Sequence, residues 1–222
     1  MLIEGFPLWL AQTNGYIVAS EPGAEAVVID VPPDPAAVLA RCQHWGVVPV
    51  ALLATHGHID HIGGVPDFVR NSDPGMPVHI HDADRHMMTD PIGSSGGFGQ
   101  YLAGLDLSPP EVILGLDDGE TVKGAGLQFT VIHTPGHTKG SVCFLFDTDD
   151  GTVLFSGDHL FAGSVGRTDL PGGDWEELME SMRAKILPLD DDIPVLPGHG
   201  PSTTIGRERR TNPFVLEAIA GG

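Results

Sequence analysis

Short apolar segments recur along the chain, and glycine- and proline-rich turns separate them. Segments of this kind, about 4–8 residues long and rich in valine, isoleucine and phenylalanine, are typical of β-strands. Asp150-Gly151 stands between two of them, a dipeptide that favours a tight hairpin turn. We predict strands at Tyr16–Ser20, Ala26–Asp30, Val50–Thr55, Val78–His81, Gly126–Thr134, Ser141–Asp147, Thr152–Ser156 and Pro194–Leu196.

Four other segments predict helices, and Trp175–Leu187 carries the strongest signals. Asp174 precedes it as an N-terminal cap, and its first turn holds acidic side chains that suit the positive end of the helix dipole. Pro91–Gly104 is glycine-rich and predicts either a loop over a site, with Phe98 and Tyr101 as apolar contacts, or a solvated connector. The other predicted helices are Pro35–Trp45, Val65–Asn71 and Ala83–Met88.

Composition narrows the classes of protein that remain. The net charge of −19 repels phosphate backbones, which argues against nucleic acid as the main partner. The longest apolar stretch, Val47–Ala54, is far below the roughly 20 residues that a membrane span needs. The N-terminus does not resemble a signal peptide, and Cys42 and Cys143 predict reduced thiols. No composition shift divides residues 1–222, so we expect one domain in a cytoplasmic protein with no membrane partner.

The segment Thr55–His61 concentrates metal-competent side chains. His56, His58, Asp60 and His61 directly follow a predicted strand. We expect positions 56, 58 and 60 to share one side of an extended segment, because side chains alternate along such a backbone. Imidazole nitrogen and carboxylate oxygen are ligands that zinc, iron and manganese accept.

Three later strands end in the same manner. Pro135-Gly136-His137, Gly157-Asp158 and Pro197-Gly198-His199 each place a glycine and a metal-competent residue after a β-like run. We therefore expect these strand ends to meet along one rim of a sheet. Seven ligands exceed what one catalytic zinc takes, whereas two ions fit if Asp158 bridges them. The resulting partition gives His56, His58 and His137 to the first ion and Asp60, His61 and His199 to the second.

These motifs resemble those of the metallo-beta-lactamase superfamily. T-H-x-H-x-D-H, T-P-G-H-T, G-D and P-G-H-G occur in this order. Asn14-Gly15-Tyr16, Val28-Ile29-Asp30 and Gly166-Arg167-Thr168-Asp169 extend the resemblance over nearly the whole chain. The resemblance implies an α/β fold, a single-domain four-layer αββα sandwich, with the metal ions at the edge between its two sheets.

Within the superfamily the chain is similar to glyoxalase II, and most of all to its small relatives, through Gly166–Asp174 and Gly198–Phe214. This implies hydrolysis of a small-molecule thioester or ester by a hydroxide that bridges two divalent ions. Zinc is the expected metal, with iron or manganese as alternatives, and Asp60 and Asp158 are the expected catalytic residues. Main-type beta-lactamases carry arginine at the place of His61 and cysteine at that of Asp158, which disfavours antibiotic hydrolysis.

The chain differs from glyoxalase II in two features that bear on its substrate. Glyoxalase II has a C-terminal helical domain that helps to hold glutathione, whereas 222 − 199 = 23 residues follow His199 here. Asp169 stands where that enzyme has a glutathione-contacting tyrosine, although Arg167 matches its basic contact. Arg167 and Lys139 are weak candidates for binding an anionic substrate group, and the alternative for both is an ordinary ion pair.

A second reaction class fits the same motifs. Persulfide dioxygenases share the seven ligand-type residues and Gly-Arg-Thr-Asp, and they bind one iron through the counterparts of His56, His137 and Asp158. A non-enzymatic binding role is the third alternative, which an intact ligand set disfavours. The motifs leave the native metal, the number of ions and the oligomeric state open.

Three further predictions concern residues near the motifs. Asp30 ends a strand, and we expect its carboxylate to hold a ligand histidine through the second ring nitrogen. His159 follows Asp158 and points either into the site or into the neighbouring layer. Arg207, Arg209 and Arg210 form the basic cluster, for which we expect ion pairs that fix the C-terminal tail.

Overall fold

The structure is a computed structural model that describes residues 1–91 and 104–221. The predicted loop Pro91–Gly104, with Phe98 and Tyr101, therefore lies almost entirely outside the described residues. The first sheet has six strands in sequential order, antiparallel from β1 to β3 and parallel from β3 to β6. They are β1 (Leu2–Leu8), β2 (Thr13–Ala19), β3 (Glu25–Ile29), β4 (Val48–Leu53), β5 (Val78–His79) and β6 (Ile113–Leu114).

The second sheet also has six strands, and its order is β14-β13-β10-β9-β8-β7. It is antiparallel except where β10 runs parallel to β13. Its strands are β7 (Thr121–Gly124), β8 (Leu127–His133), β9 (Val142–Thr148), β10 (Gly151–Gly157), β13 (Pro194–Pro197) and β14 (Thr203–Thr204), and β11 (Leu160–Phe161) pairs separately with β12 (Ser164–Val165).

Helices cover the outer faces of both sheets, so the layers follow the order helix, sheet, sheet, helix. Val38 and Phe68 from helices pack with Ile17 and Leu52 of the first sheet. The helices are α1 (Pro35–Trp45), α2 (Ile59–Ile62), α3 (Val65–Ser72), α4 (Arg85–Thr89), α5 (Trp175–Ser181, continued by a π-helical turn at Met182–Ile186), α6 (Ile205–Thr211) and α7 (Pro213–Ala220).

Separate apolar clusters join the remaining layers. Between the sheets, side chains such as Val27 and Leu53 meet Phe129 and Phe144. On the far side, the second sheet packs against α5, α6 and α7, for example through Leu178. The αββα sandwich that the motifs implied is confirmed. Among the described residues, no helix combines the length and apolar character that crossing a bilayer requires.

Local signals explain which elements the sequence predicts well. Asp34 caps α1 by accepting from the Ala37 amide, and Gly46 ends it in the left-handed region, where glycine is unstrained. Asp174 caps α5 as predicted. The predicted hairpin between β9 and β10 is present, but its two turn residues are Asp149 and Asp150, and Gly151, with a φ of 125°, is the first residue of β10.

Some elements were not predicted, and one prediction about local structure is wrong. Strand β1 was not predicted because Gly5 and Pro7 interrupt its apolar pattern, and proline is tolerated there because β1 is an edge strand. Helices α6 and α7 were also missed. Asp60 does not share an extended face with His56 and His58, because helix α2 begins at Ile59 and turns the backbone away.

Candidate metal centre

The predicted ligands come together at one edge of the sandwich, where strands from both sheets end. His56 follows β4 in the first sheet, whereas His137, Asp158 and His199 follow β8, β10 and β13 in the second. The amide of Val142 donates to the Thr55 carbonyl at 2.8 Å and so joins the two sheets close to this edge. The expected convergence of strand ends is therefore present in the structure.

Three imidazoles form the first ligand group. His58 Nδ1 lies 3.1 Å from His56 Nε2 and 2.8 Å from His137 Nε2, and the latter two nitrogens are 3.2 Å apart. These atoms form one of the clusters that could hold a metal ion. The group matches the predicted ligand set of the first ion.

Hydrogen bonds on the far side of each ring fix the tautomers of this group. His137 Nδ1 lies 2.6 Å from the Arg167 carbonyl, which only accepts, so the ring proton is on Nδ1. Thr55 Oγ1 donates to Asp30 Oδ2 at 2.7 Å and therefore accepts from His56 Nδ1 at 3.1 Å. Both Nε2 atoms thus direct lone pairs at each other. A proton on His58 Nδ1 can satisfy only one of them, whereas a cation satisfies all three nitrogens.

The second ligand group comprises Asp60, His61 and His199. Asp60 Oδ2 lies 3.6 Å from His61 Nε2 and 3.3 Å from His199 Nε2. The Nδ1 atoms of the two rings face acceptors, Asp30 Oδ2 at 2.7 Å for His61 and the Ala11 carbonyl at 3.2 Å for His199. Their Nε2 atoms consequently face carboxylate oxygens, and a cation between these atoms would take the place of a proton.

Asp158 stands between the two groups. Its Oδ1 lies 3.3 Å from His61 Nε2, and its Oδ2 lies 3.4 Å from both His137 Nε2 and His199 Nε2. One carboxylate therefore approaches nitrogens of both groups, as a bridging ligand must. His61 Nε2 and Asp158 Oδ1 are buried without a hydrogen-bond partner. Buried polar atoms are costly when unpaired, so these two fit a bound cation.

The electrostatics differ between the groups. Burial, together with the neighbouring histidines, holds the pKa of His56 well below its usual value and lowers that of His58 to about 3. Burial also opposes protonation of His199, but Asp158 and Asp60 outweigh it and raise its pKa to about 9. Despite burial, His61 lowers the pKa of Asp60 to about 2. His56 and His58 are thus neutral imidazoles, whereas the second group contains the ionised carboxylate of Asp60, which attracts a cation.

Neighbouring polar groups hold the second ligand group in place. Asp30 Oδ2 contacts His61 Nδ1 at 2.7 Å, which is the contact that the sequence predicts. Asp30 also accepts from the Thr55 amide at 2.8 Å, although its own backbone has a φ of 56°. Thr13 Oγ1 donates to Asp60 Oδ2 at 2.9 Å, a contact that nothing in the sequence indicated because 47 positions separate the two residues.

Both weak candidates for substrate binding are paired with acids. Lys139 Nζ lies 2.8 Å from Glu177, whose carboxylate raises the lysine pKa. Arg167 makes two hydrogen bonds to Asp169, at 2.6 and 2.7 Å, and contacts the site through its carbonyl instead of its guanidinium. The ordinary ion pair, the alternative stated for both residues, is therefore what the structure contains.

His159 is buried, and neither ring nitrogen has a hydrogen-bond partner. Burial, with His137 nearby, lowers its pKa to about 3, so the ring is neutral at physiological pH.

In the basic cluster, Arg209 and Arg210 pair with Asp191, and Arg209 also donates to the Leu187 and Leu189 carbonyls. The predicted ion pairs are thus present for Arg209 and Arg210, whereas Arg207 lies 3.9 Å from its sequence neighbour Glu208.

Zinc should stabilise the folded chain if these groups bind it. A ligand that binds only the folded state adds about 2.7 kcal/mol per site at 100 times its Kd. We expect calorimetry of chelator-treated protein to show a midpoint that rises with added zinc. Magnesium, which prefers oxygen ligands, is the control ion. An unchanged midpoint in zinc would contradict the assignment of a metal centre.

Comparisons with known proteins agree with this geometry. The sequence model of the Metallo-beta-lactamase superfamily matches residues 9–199. An uncharacterized protein of Mycobacterium tuberculosis is 44% identical, over 99% of this chain and 100% of its own length. The hydroxyacylglutathione hydrolase GloC of Haemophilus influenzae is 35% identical, over 97% of this chain and 98% of its own.

Solved structures share the fold closely. A structure of the BLEG-1 B3 metallo-beta-lactamase has a TM-score of 0.84 and 37% identity, over 96% of this chain and 99% of that one. TTHA1623 in a di-iron-bound form has a TM-score of 0.80 and 38% identity, over 95% and 99%. ETHE1 from Myxococcus xanthus shares the fold, with a TM-score of 0.77 and 24% identity, over 98% of this chain and 85% of that one.

Proposed function

The chain belongs to the metallo-beta-lactamase superfamily, and on that basis we propose that it is a binuclear metal-dependent hydrolase of a thioester or ester. One observation supports the binuclear part of the proposal above all others. Asp158 approaches nitrogens of the first and second ligand groups with its two oxygens, at 3.3 and 3.4 Å. A shared carboxylate of this kind suits two ions held close together, as in binuclear hydrolases.

Each group of side chains has a defined part in this proposal. His56, His58 and His137 would hold the first ion, and Asp60, His61 and His199 the second, with Asp158 shared. Bound divalent ions would supply Lewis acidity that activates a water nucleophile and polarises the substrate carbonyl. Zinc is the expected metal, with iron or manganese as alternatives, and the relative TTHA1623 has been crystallised in a di-iron-bound form.

Asp60 is suited to orient the nucleophile. Its low pKa of about 2 keeps the carboxylate ionised, and its side chain is partly exposed at the rim of the site. Thr13 Oγ1 fixes one of its oxygens by donating at 2.9 Å, so the carboxylate is held ready to accept a hydrogen bond from water. A thiol leaving group has a pKa near ~8.5 and departs as thiolate without a strong general acid.

The persulfide dioxygenase alternative requires one iron on His56, His137 and Asp158. The geometry favours the three-histidine group instead, because His58 Nδ1 lies closer to His137 Nε2 than Asp158 Oδ2 does, at 2.8 against 3.4 Å. In the proposed hydrolase both ligand groups would bind an ion.

The substrate class can be tested directly with purified protein. We expect thiol release from a hydroxyacyl thioester, assayed with glutathione and with a smaller thiol carrier, and no oxygen uptake with glutathione persulfide. The relative GloC is a hydroxyacylglutathione hydrolase, and a beta-lactam belongs in the panel because BLEG-1 is a B3 lactamase. Asp158→Ala protein, purified identically, controls for contaminating enzymes. One iron per chain with oxygen consumption would replace this proposal by the dioxygenase.

A further inference from the structure

A buried carboxylate outside the ligand set lies close to the first group. Asp84 is 1% exposed and stands at the start of α4. Its position suggests a helix cap, yet its side chain makes no capping hydrogen bond to that helix. The carboxylate is directed away from α4 and towards two loops that carry metal ligands.

Three donors from those loops satisfy the Asp84 carboxylate. The Gly57 amide donates to Oδ2 at 2.9 Å, and the Gly140 amide donates to Oδ1 at 2.8 Å. Thr138 Oγ1 donates to Oδ2 at 2.6 Å. Gly57 is the residue between His56 and His58, and Thr138 follows His137 directly. One side chain therefore links the backbone segments of all three imidazoles in the first group.

The surroundings of Asp84 leave room for this carboxylate and for little else. A Cβ on Gly140 would stand 2.6 Å from Asp84 Cγ, and one on Gly57 would stand 2.7 Å from Met87 in α4. Ser141 Oγ accepts from the Thr138 amide at 3.0 Å and lies 2.7 Å from Thr138 Oγ1. The Ser141 hydroxyl can therefore donate to Thr138 Oγ1. The Thr138 hydroxyl is then left to donate its own proton to Asp84 Oδ2.

We propose that Asp84 is the positioning residue of the first ligand group and sets its metal affinity without contacting the ion. The inference rests on the metal-binding part of the proposed function. Asp30 serves the second group differently, through a direct contact with the His61 ring at 2.7 Å. Asp84 acts on the backbone, because two of its three donors are peptide amides. The two ligand groups are thus held by separate buried acids.

The test substitutes Asp84→Asn, which keeps the size of the side chain but turns an amide group towards a donor. Outer partners of metal ligands typically contribute 10–100-fold in affinity. In a His199→Ala background, in which only the first group is complete, we expect Asp84→Asn to raise the zinc Kd by roughly 10–100-fold. In a His58→Ala background, in which the second group is complete, the Kd should be unchanged. Competition with a chromophoric chelator measures both values.

Glu208→Gln is the matched control for general destabilisation. Glu208 is equally buried at 1% exposure and accepts from the Gly163 amide at 2.7 Å and from Thr203 Oγ1 at 2.5 Å. None of its hydrogen-bond donors neighbours a ligand. We expect Glu208→Gln to lower the thermal midpoint about as much as Asp84→Asn does, and to leave zinc Kd unchanged in both backgrounds.

Two outcomes would overturn the role of Asp84. One is an unchanged zinc Kd in the His199→Ala background, and the other is equal weakening in both backgrounds. The number of ions that the wild-type protein binds tests the proposed function separately. If wild type binds one ion, binuclear hydrolysis is contradicted, and the affinity of that ion with and without Asp84→Asn still decides this inference. If wild type binds none, both fail.

Discussion

Asp158→Ala should lose both metal ions and reduce kcat/KM by more than ~100-fold, the upper end of what an outer partner contributes. The expectation follows from position, because the Asp158 carboxylate lies 3.4 Å from His137 Nε2 of the first group and 3.3 Å from His61 Nε2 of the second. Its removal takes a ligand from each ion. Elemental analysis after dialysis and the thioester assay measure the two effects.

His199→Ala is the informative comparison for Asp158→Ala. His199 belongs only to the second group, so this variant should keep one ion per chain. Asp158→Asn, which preserves side-chain volume, separates loss of the ligand from loss of packing. Full metal content and rate in Asp158→Ala would refute the bridging assignment. A metal count in His199→Ala equal to that of wild type would instead support a mononuclear centre.

Gly198→Ala should disable the site although it removes no polar group. A Cβ at this position would overlap Asp158 Oδ1 and stand 2.7 Å from His61 Cε1. The bridging carboxylate or the loop that carries His199 must therefore shift, and a displacement of about 1 Å can cost ~100-fold in rate. We expect a fall in kcat/KM of that order, with bound metal reduced as well.

Gly75→Ala provides the control for this substitution. A Cβ there meets only Asp73 Oδ1, at 3.5 Å, which is an ordinary contact. It should keep wild-type metal content and rate, as judged by the same two assays. Overpacking costs typically 1–3 kcal/mol, so Gly198→Ala should also unfold at a lower temperature. Wild-type kinetics in Gly198→Ala would show that the crowding around Asp158 relaxes without consequence.

The convergence of the candidate ligands could be predicted from sequence because its signal is local. A glycine and a metal-competent side chain follow each of four strands. Because these strands end at one edge, the side chains that follow them lie close together. Even the partition into two groups follows from ligand counting, with His137 assigned to one group and His199 to the other. The structure brings together both of these groups, and Asp158 lies between them.

Apart from the contact of Asp30 with His61, the supporting contacts could not be predicted, since they join segments that are distant in the sequence. Asp84 binds amides 27 and 56 positions away, and an aspartate before a helix is ordinarily interpreted as a cap. The direction of the Asp60 side chain was predicted wrongly because helix α2 has no clear signal in the sequence. The turn of α2 is only four residues long and carries no periodic apolar signal. The sequence likewise leaves two roles open for Arg167, and the structure pairs its guanidinium with Asp169.

The loop that carries His199 is tied to the opposite end of the chain. Asn14 donates to the Pro197 carbonyl across 183 positions, and Tyr16 does so across 181. During synthesis, which proceeds from the N-terminus, the three imidazoles of the first group emerge from the ribosome well before this loop does. The side chains of the first group can thus all be present before the loop of His199 has been made, whereas the second group requires that loop.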